Sequence, residues 1–251
     1  LSDGAMSHAK VYVNGQEVGY WPYGYNSFYF DITKQLMPGK KNTLAVRLEN
    51  LPESSRWYPG AGLYRNVHVI VTENAHIPVW GTYVTTPTAT KEFAKVNVRT
   101  QIVLLEGADA GKYSVKTSVW NPNGQKLTEQ TIPLSQIKYN DNSLSQEFII
   151  QTPTLWSPDM PALYSAETRL YEGDQLKDIY TTPFGIRSIE IIPNKGFFLN
   201  GEKTVFKGVC NHHDLGPLGA AVNDAAIRRQ IRILKDMGCN AIRTSHNMPA
   251  P

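Results

Sequence analysis

Over several short segments of the first 186 residues apolar side chains recur at every second position, and no convincing helical period appears until residue 223. A chain with that spacing buries one face of each extended segment, so it must build sheets that pack face to face. Within residues 1–73, Val11-Tyr12-Val13 runs into Asn14-Gly15 and on to Val18, the signature of a two-residue hairpin. Phe28, Phe30 and Ile32 alternate with polar or amphipathic neighbours, as do Leu44, Val46 and Leu48, and later Val67, Val69 and Val71. All three runs are expected strands of a first sandwich. Residues 74–186 repeat the pattern: Val96 with Val98, Tyr113 through Val119, Phe148 with Ile150, and Leu163 through Leu170. Asn121-Pro122-Asn123-Gly124 supplies a loop between two of them. About seven short strands in roughly 100 residues fit an immunoglobulin-like sandwich, here without the paired cysteines of antibody domains.

The pattern changes near Phe184-Gly185-Ile186-Arg187. Phe197-Phe198-Leu199 and Thr204-Val205-Phe206 flank Asn200-Gly201, which predicts another hairpin. The apolar stretch 205–209 then enters a Gly/Pro loop, and Asn223 stands where a helix N-cap belongs, with Asp224 at the positive end of the dipole. Ile227, Ile231, Leu234 and Met237 recur at helical spacing, Arg228, Arg229, Arg232 and Lys235 fall on the wet side, and Gly238 is a suitable C′ residue. Asn240 to Ser245 reads as a second strand. Strand, helix, strand is the repeat of a parallel α/β fold. One such unit closes no barrel, so residues 187–251 are expected to be the start of a larger domain cut at Pro251.

Composition excludes several partners. The net charge is +3, and no run of basic residues exceeds two. Neither a nucleic-acid stripe nor a polybasic membrane patch is expected. No apolar stretch reaches the ~18 residues of a membrane-spanning helix. The two cysteines, Cys210 and Cys239, lack metal-ligand spacing. In parallel register they would be offset by about four residues, or roughly 13 Å, beyond disulfide reach, so both are expected to be free thiols.

The residues with chemistry to offer stand at the ends of the two parallel strands: Cys210-Asn211-His212-His213-Asp214 after the first, Ser245-His246-Asn247 after the second. In a (β/α)₈ barrel the active site is built from such strand ends and the loops beyond them. Imidazoles there exchange hydrogen bonds with sugar hydroxyls or a carboxylate without a fixed charge. Neighbouring residues on a strand point to opposite sides, which makes His212 and His213 poor joint ligands, and no metal site is expected.

Three stretches carry a resemblance. Lys207-Gly208-Val209-Cys210-Asn211-His212-His213-Asp214 and Asn240-Ala241-Ile242-Arg243-Thr244-Ser245-His246 resemble the first two barrel strands of glycoside hydrolase family 2. The run from Arg56-Trp57-Tyr58-Pro59-Gly60 to Ala61-Gly62-Leu63-Tyr64-Arg65 resembles the closing stretch of that family's N-terminal sugar-binding domain. The resemblance implies a mostly β, multidomain chain: a partial jelly-roll over 1–73 without its initial strands, an immunoglobulin-like sandwich over 74–186, and the first β-α-β of a TIM barrel over 187–251. It implies that His212 and His246 contact the sugar and that Arg243 orients the nucleophile carboxylate. Arg56 and Trp57 are expected to pack. The sequence departs from the family at Met248, where His246-Asn247 is followed by Met248-Pro249.

Family members are retaining glycosidases that work with two glutamates roughly 5–5.5 Å apart. Neither is expected here; both belong to later strands beyond Pro251, and Glu202 sits at no barrel strand end. The implied activity of the complete enzyme is hydrolysis of terminal β-D-galactosides, with a β-linked oligosaccharide or galactoside as partner. The 251 residues alone are expected to be inactive. No cofactor is expected in this stretch, with Mg or Na open to the complete enzyme, as is homo-oligomerisation. A β-glucuronidase or β-mannosidase of the same family is the alternative specificity. A non-catalytic carbohydrate-binding sandwich protein is the alternative class, though it leaves the βα unit unexplained. The location stays open, with a periplasmic or secreted one favoured over the cytoplasm.

Overall fold

The computed structural model describes residues 1–54, 60–136 and 142–251. They form two compact units: residues 1–70 with 206–251, and residues 71–205. Arg56 and Trp57 lie outside the described residues.

The first unit opens with a hairpin of β1 (Ala9–Val13) and β2 (Gln16–Trp21), and β1 also pairs with β3 (Leu44–Arg47). Asn14 (φ 52°) and Gly15 (φ 83°) make the turn, as their tolerance of positive φ predicts for a type I′ hairpin. Val11 and Val13 face inward, and Val11 joins Ala5, Ala9 and Phe28 in a core flanked by Val18, Trp21, Phe30 and Val46. Two expected strands are not there. Phe28 makes only an isolated bridge to Ser2, and Thr33–Gln35 is a turn of 3-10 helix; Val67 likewise bridges only Ser2. Alternation prepares a segment to be a strand, but a ladder needs a neighbour along its length. Val69 and Val71, with none, are 72% and 89% exposed.

The second unit is the larger β assembly. Its strands are β4 (Ala75–His76), β5 (Thr82–Ala89), β6 (Phe93–Gln101), β7 (Val103–Leu104), β8 (Tyr113–Trp120) and β9 (Lys126–Pro133). They continue with β10 (Ser143–Gln151), β11 (Tyr164–Glu172), β12 (Gln175–Phe184), β13 (Ile189–Ile192), β14 (Gly196–Leu199) and β15 (Glu202–Lys203). Among the described residues one main sheet runs β10-β6-β5 and a second β12-β11-β8-β9, seven strands between them, as the turn spacing predicts, while β4 pairs with β7 and β13-β14-β15 form a small sheet of their own. Burial alternates strictly along β6 and β10, and along β11 as far as Tyr171. The inward residues make two clusters, one around Val96, Val98, Val119 and Phe148, the other around Ile77, Val115, Leu144 and Leu170. Between the sheets sits a polar group as well. Thr117 donates to Gln146 Oε1 at 2.6 Å and lies 3.2 Å from the Thr168 hydroxyl, while Gln146 Nε2 donates to the Gln130 carbonyl at 2.9 Å. The Asn200-Gly201 hairpin forms with both residues at positive φ. Its second strand is shorter than expected: β15 ends at Lys203, and Val205 and Phe206 are exposed.

The chain then returns to the first unit. β16 (Gly208–Asn211), α1 (Asp224–Asp236) and β17 (Ala241–Thr244) form one parallel βα unit. A side chain at Gly208 would place its Cβ 2.1 Å from the Ala241 carbonyl oxygen, so the close pairing of β16 with β17 requires glycine there. Asn223 caps α1 by accepting from the Ala226 N–H at 3.0 Å. Of the helix residues only Leu234 is buried; Ile231 and Met237 are 47% and 67% exposed.

Candidate active site

Parallel pairing sets the geometry. Cys210 stands opposite Arg243 and Asn211 opposite Thr244, and the ladder continues past the strands with the Ser245 N–H donating to the Asn211 carbonyl at 2.7 Å. Continued by one residue, this register puts His212 level with Ser245, and His246 leaves the neighbouring strand end one residue further on. Their rings meet edge to face, 5.2 Å between centroids and 89° between planes. These two expected site residues are brought together.

Arg243 makes its contacts elsewhere. Its Nη1 donates to Ser245 Oγ at 3.1 Å and to Cys210 Sγ at 3.6 Å, so one guanidinium spans both strands. Residues i and i+2 of a strand share a face, which is why Arg243 meets Ser245. Hydrogen bonds from Arg243 and then Ser245 favour the thiolate and hold the Cys210 thiol below its ordinary value. Cys210 and Cys239 are both free, and Cys239 lies four residues ahead of Arg243, the partner of Cys210, as the parallel register requires.

A measurable property of this thiol follows. In this chain, alkylation of Cys210 by iodoacetamide will become fast at a lower pH than alkylation of free cysteine in solution. Replacing Arg243 with Gln removes the main stabiliser of the thiolate, so the Cys210 profile should move to higher pH. An unmoved profile would show that Arg243 does not act on the thiol.

A cavity of about 150 Å³ lies on the helix side of the two strands. Ile227 and Ile231 of α1 and Ile242 and Thr244 of β17 form its apolar part; Asn211, His212, His213, Asp214, Asn247 and Arg65 form its polar part. His213 is 8% exposed and packs edge-on against Tyr25, with 4.5 Å between centroids. Burial pushes its imidazole below the ordinary histidine value; Asp214 opposes that shift, while Arg65 and His212 reinforce it. Asn247 links this group together. Its Nδ2 lies 3.5 Å from His213 Nδ1, and its Oδ1 accepts from the Tyr23 hydroxyl at 2.8 Å.

Tyr23, Tyr25 and Arg65, together with the burial of His213, are the part of the site that strand-end reasoning misses. The only trace in the sequence is that Arg65 closes the run beginning at Arg56, and that Tyr20 to Phe30 is dense in aromatics. Arg65 Nη1 donates to the Asp3 carbonyl at 3.2 Å and to the Tyr25 carbonyl, and its Nη2 donates to the Met248 carbonyl at 2.8 Å. Tyr64, whose hydroxyl donates to the Gly24 carbonyl at 2.8 Å, has its pKa pushed up to about 12, chiefly by burial. Among the described residues no three His, Cys, Asp or Glu side chains converge to hold a metal ion.

Comparison with known proteins matches the chain in two adjoining pieces. The family described as "Glycosyl hydrolases family 2" matches residues 75–187, and "Glycosyl hydrolases family 2, TIM barrel domain" matches residues 190–250. The chain is 42% identical to Beta-galactosidase BoGH2A of Bacteroides ovatus, over 99% of this chain and 29% of that protein. It is 38% identical to a putative beta-glucuronidase of Formosa agariphila, over 99% of this chain and 23% of that protein. A solved structure of a glycosyl hydrolase family 2 member from Bacteroides cellulosilyticus superposes with a TM-score of 0.91 at 36% identity, covering 99% of this chain and 32% of that one. The chain thus spans less than a third of the length of each of these relatives.

Proposed function

The chain belongs to glycosyl hydrolase family 2, and from that membership we propose that it supplies part of the glycone pocket of a retaining β-galactosidase. The observation that carries this reading is the pair of imidazoles, His212 and His246, in edge contact at the ends of adjacent parallel strands. Strand ends of this kind are where barrel enzymes place substrate contacts. Neutral imidazoles offer a sugar both a donor and an acceptor, and these hydrogen bonds hold the glycone while charge develops at its anomeric carbon. The reaction itself needs a carboxylic acid to protonate the leaving oxygen and a carboxylate to attack the anomeric carbon, roughly 5–5.5 Å apart. In this reading no glutamate of the 251 residues fills either role. Arg243 would aim the attacking carboxylate from the face it shares with Ser245.

The second reading is a β-glucuronidase, favoured by the 38% identity to the Formosa agariphila protein of that putative activity. A glucuronide brings a carboxylate that must be met by cationic groups. A hydrolysis panel of nitrophenyl β-glycosides on the complete enzyme separates the two. Turnover of the β-galactoside above the β-glucuronide and β-mannoside is the expected result. Preference for the glucuronide would replace the first reading with the second. Turnover of any of these by the 251 residues alone would overturn the assignment of the catalytic carboxyls to other parts of the enzyme.

A further inference from the structure

We propose that Tyr23 and Arg65 are positioning residues for His246, tying down the two residues that follow it in the chain. The proposal rests on the reading of His246 as a glycone contact. Asn247 and Met248 leave β17 without a ladder of their own, yet each is held by a residue distant in sequence. The Tyr23 hydroxyl donates to Asn247 Oδ1 at 2.8 Å, and Arg65 Nη2 donates to the Met248 carbonyl at 2.8 Å. His246 is the next residue back, so its backbone is pinned from its C-terminal side by these bonds. The Ser245 N–H, bonded to the Asn211 carbonyl at 2.7 Å, pins it from the other side. A side chain between two fixed points keeps one aim, and sub-ångström aim is what contact with a reacting sugar demands.

The two anchors are themselves held. Arg65 spends its other terminal nitrogen on the Asp3 and Tyr25 carbonyls, and its stem lies against Gly4, where an added Cβ would meet Arg65 Cδ at 2.8 Å. A guanidinium keeps its charge at every working pH, so its bond to the Met248 carbonyl is charge-assisted. Tyr23 packs against Tyr25 with 5.5 Å between centroids, and Tyr25 packs in turn on His213. Asn247 thus joins Tyr23 to His213 as well as to His246. His213 is more than nine-tenths buried, with no partner for Nε2 among the described residues, so its ring has one bond, to Asn247, to set its orientation.

The test is epistasis with His246 in the complete enzyme. Tyr23→Phe, which removes one oxygen from a side chain that is 38% exposed, should lower kcat/KM for the preferred glycoside about three- to tenfold. The melting temperature should not change. Made on top of His246→Ala, the same substitution should cost nothing further. A loss of equal size in both backgrounds, or no loss in either, overturns the proposal. Arg65→Lys keeps a charged donor and should fall short of wild type in the same direction; if that variant fails to fold, the Tyr23→Phe cycle decides alone. A second readout does not depend on activity. In the 251-residue chain, the ring ¹H–¹⁵N signals of His246 should shift on Tyr23→Phe, and unmoved signals overturn the positioning role. A wild-type enzyme that cleaves nothing in the glycoside panel would instead remove the proposed function and leave the ring signals to judge Tyr23.

Discussion

Replacing Gln146 with Ala will destabilise the unit of residues 71–205 by about 2–4 kcal/mol, one of the largest losses available to a single substitution in this chain. Gln146 is 1% exposed, between sheets whose other inward residues are apolar apart from a few buried hydroxyl side chains, Thr117 and Thr168 among them. Its side chain accepts from Thr117 and donates to the Gln130 carbonyl. Truncation therefore leaves a cavity, takes one acceptor from a buried hydroxyl, and takes one donor from a carbonyl. For a unit of this size the melting temperature should fall by roughly 10 °C. The companion experiment removes the whole polar group: Gln146→Met, Thr117→Val and Thr168→Val together keep the volume and leave few groups to satisfy. That triple variant should melt within about 1 kcal/mol of wild type, since replacing both partners of a buried bond is far less costly than removing one. A triple variant as unstable as Gln146→Ala would mean that shape, not hydrogen bonding, fills this position.

Replacing His212 or His246 with Ala in the complete enzyme should lower kcat/KM by about ten- to a hundredfold each, read in steady-state assays against the preferred glycoside. The sugar hydroxyl left unpaired in a desolvated pocket accounts for the upper end of that range. Because the two rings touch at 5.2 Å between centroids, the double variant should lose less than the product of the single losses. The melting temperature of the 71–205 unit should be untouched. A loss of stability of that unit without a loss of kcat/KM would reassign both residues to folding.

What the sequence makes legible is whatever is decided by neighbours a few residues apart. Asn14-Gly15 and Asn200-Gly201 name their turns because only a few side chains accept positive φ. Asn223 and Gly238 bound α1 by cap chemistry that is local. The pairing of His212 with His246 is readable for a related reason, since residues just past two neighbouring parallel strand ends lie within reach of each other, here across an offset of one residue. Phe28 to Ile32 and Val67 to Val71 show the limit of that logic. They alternate as strands do, but a strand is a relation between segments, and their ladders amount to single bridges to Ser2. Tyr23, Tyr25 and Arg65 were out of reach for a different reason. Their partners at His213, Asn247 and Met248 are close to 200 residues away, and no period or spacing records such a meeting.

That separation has a consequence for how the molecule is made. The first unit is written in two instalments, residues 1–70 and 206–251, with an entire compact unit between them. Tyr23 leaves the ribosome 224 residues before the asparagine it will bond. At 5–20 residues per second the wait is roughly 11–45 s. Chain folding of a hundred-residue β sandwich takes milliseconds to seconds, so residues 71–205 have time to fold while the first instalment stands unfinished.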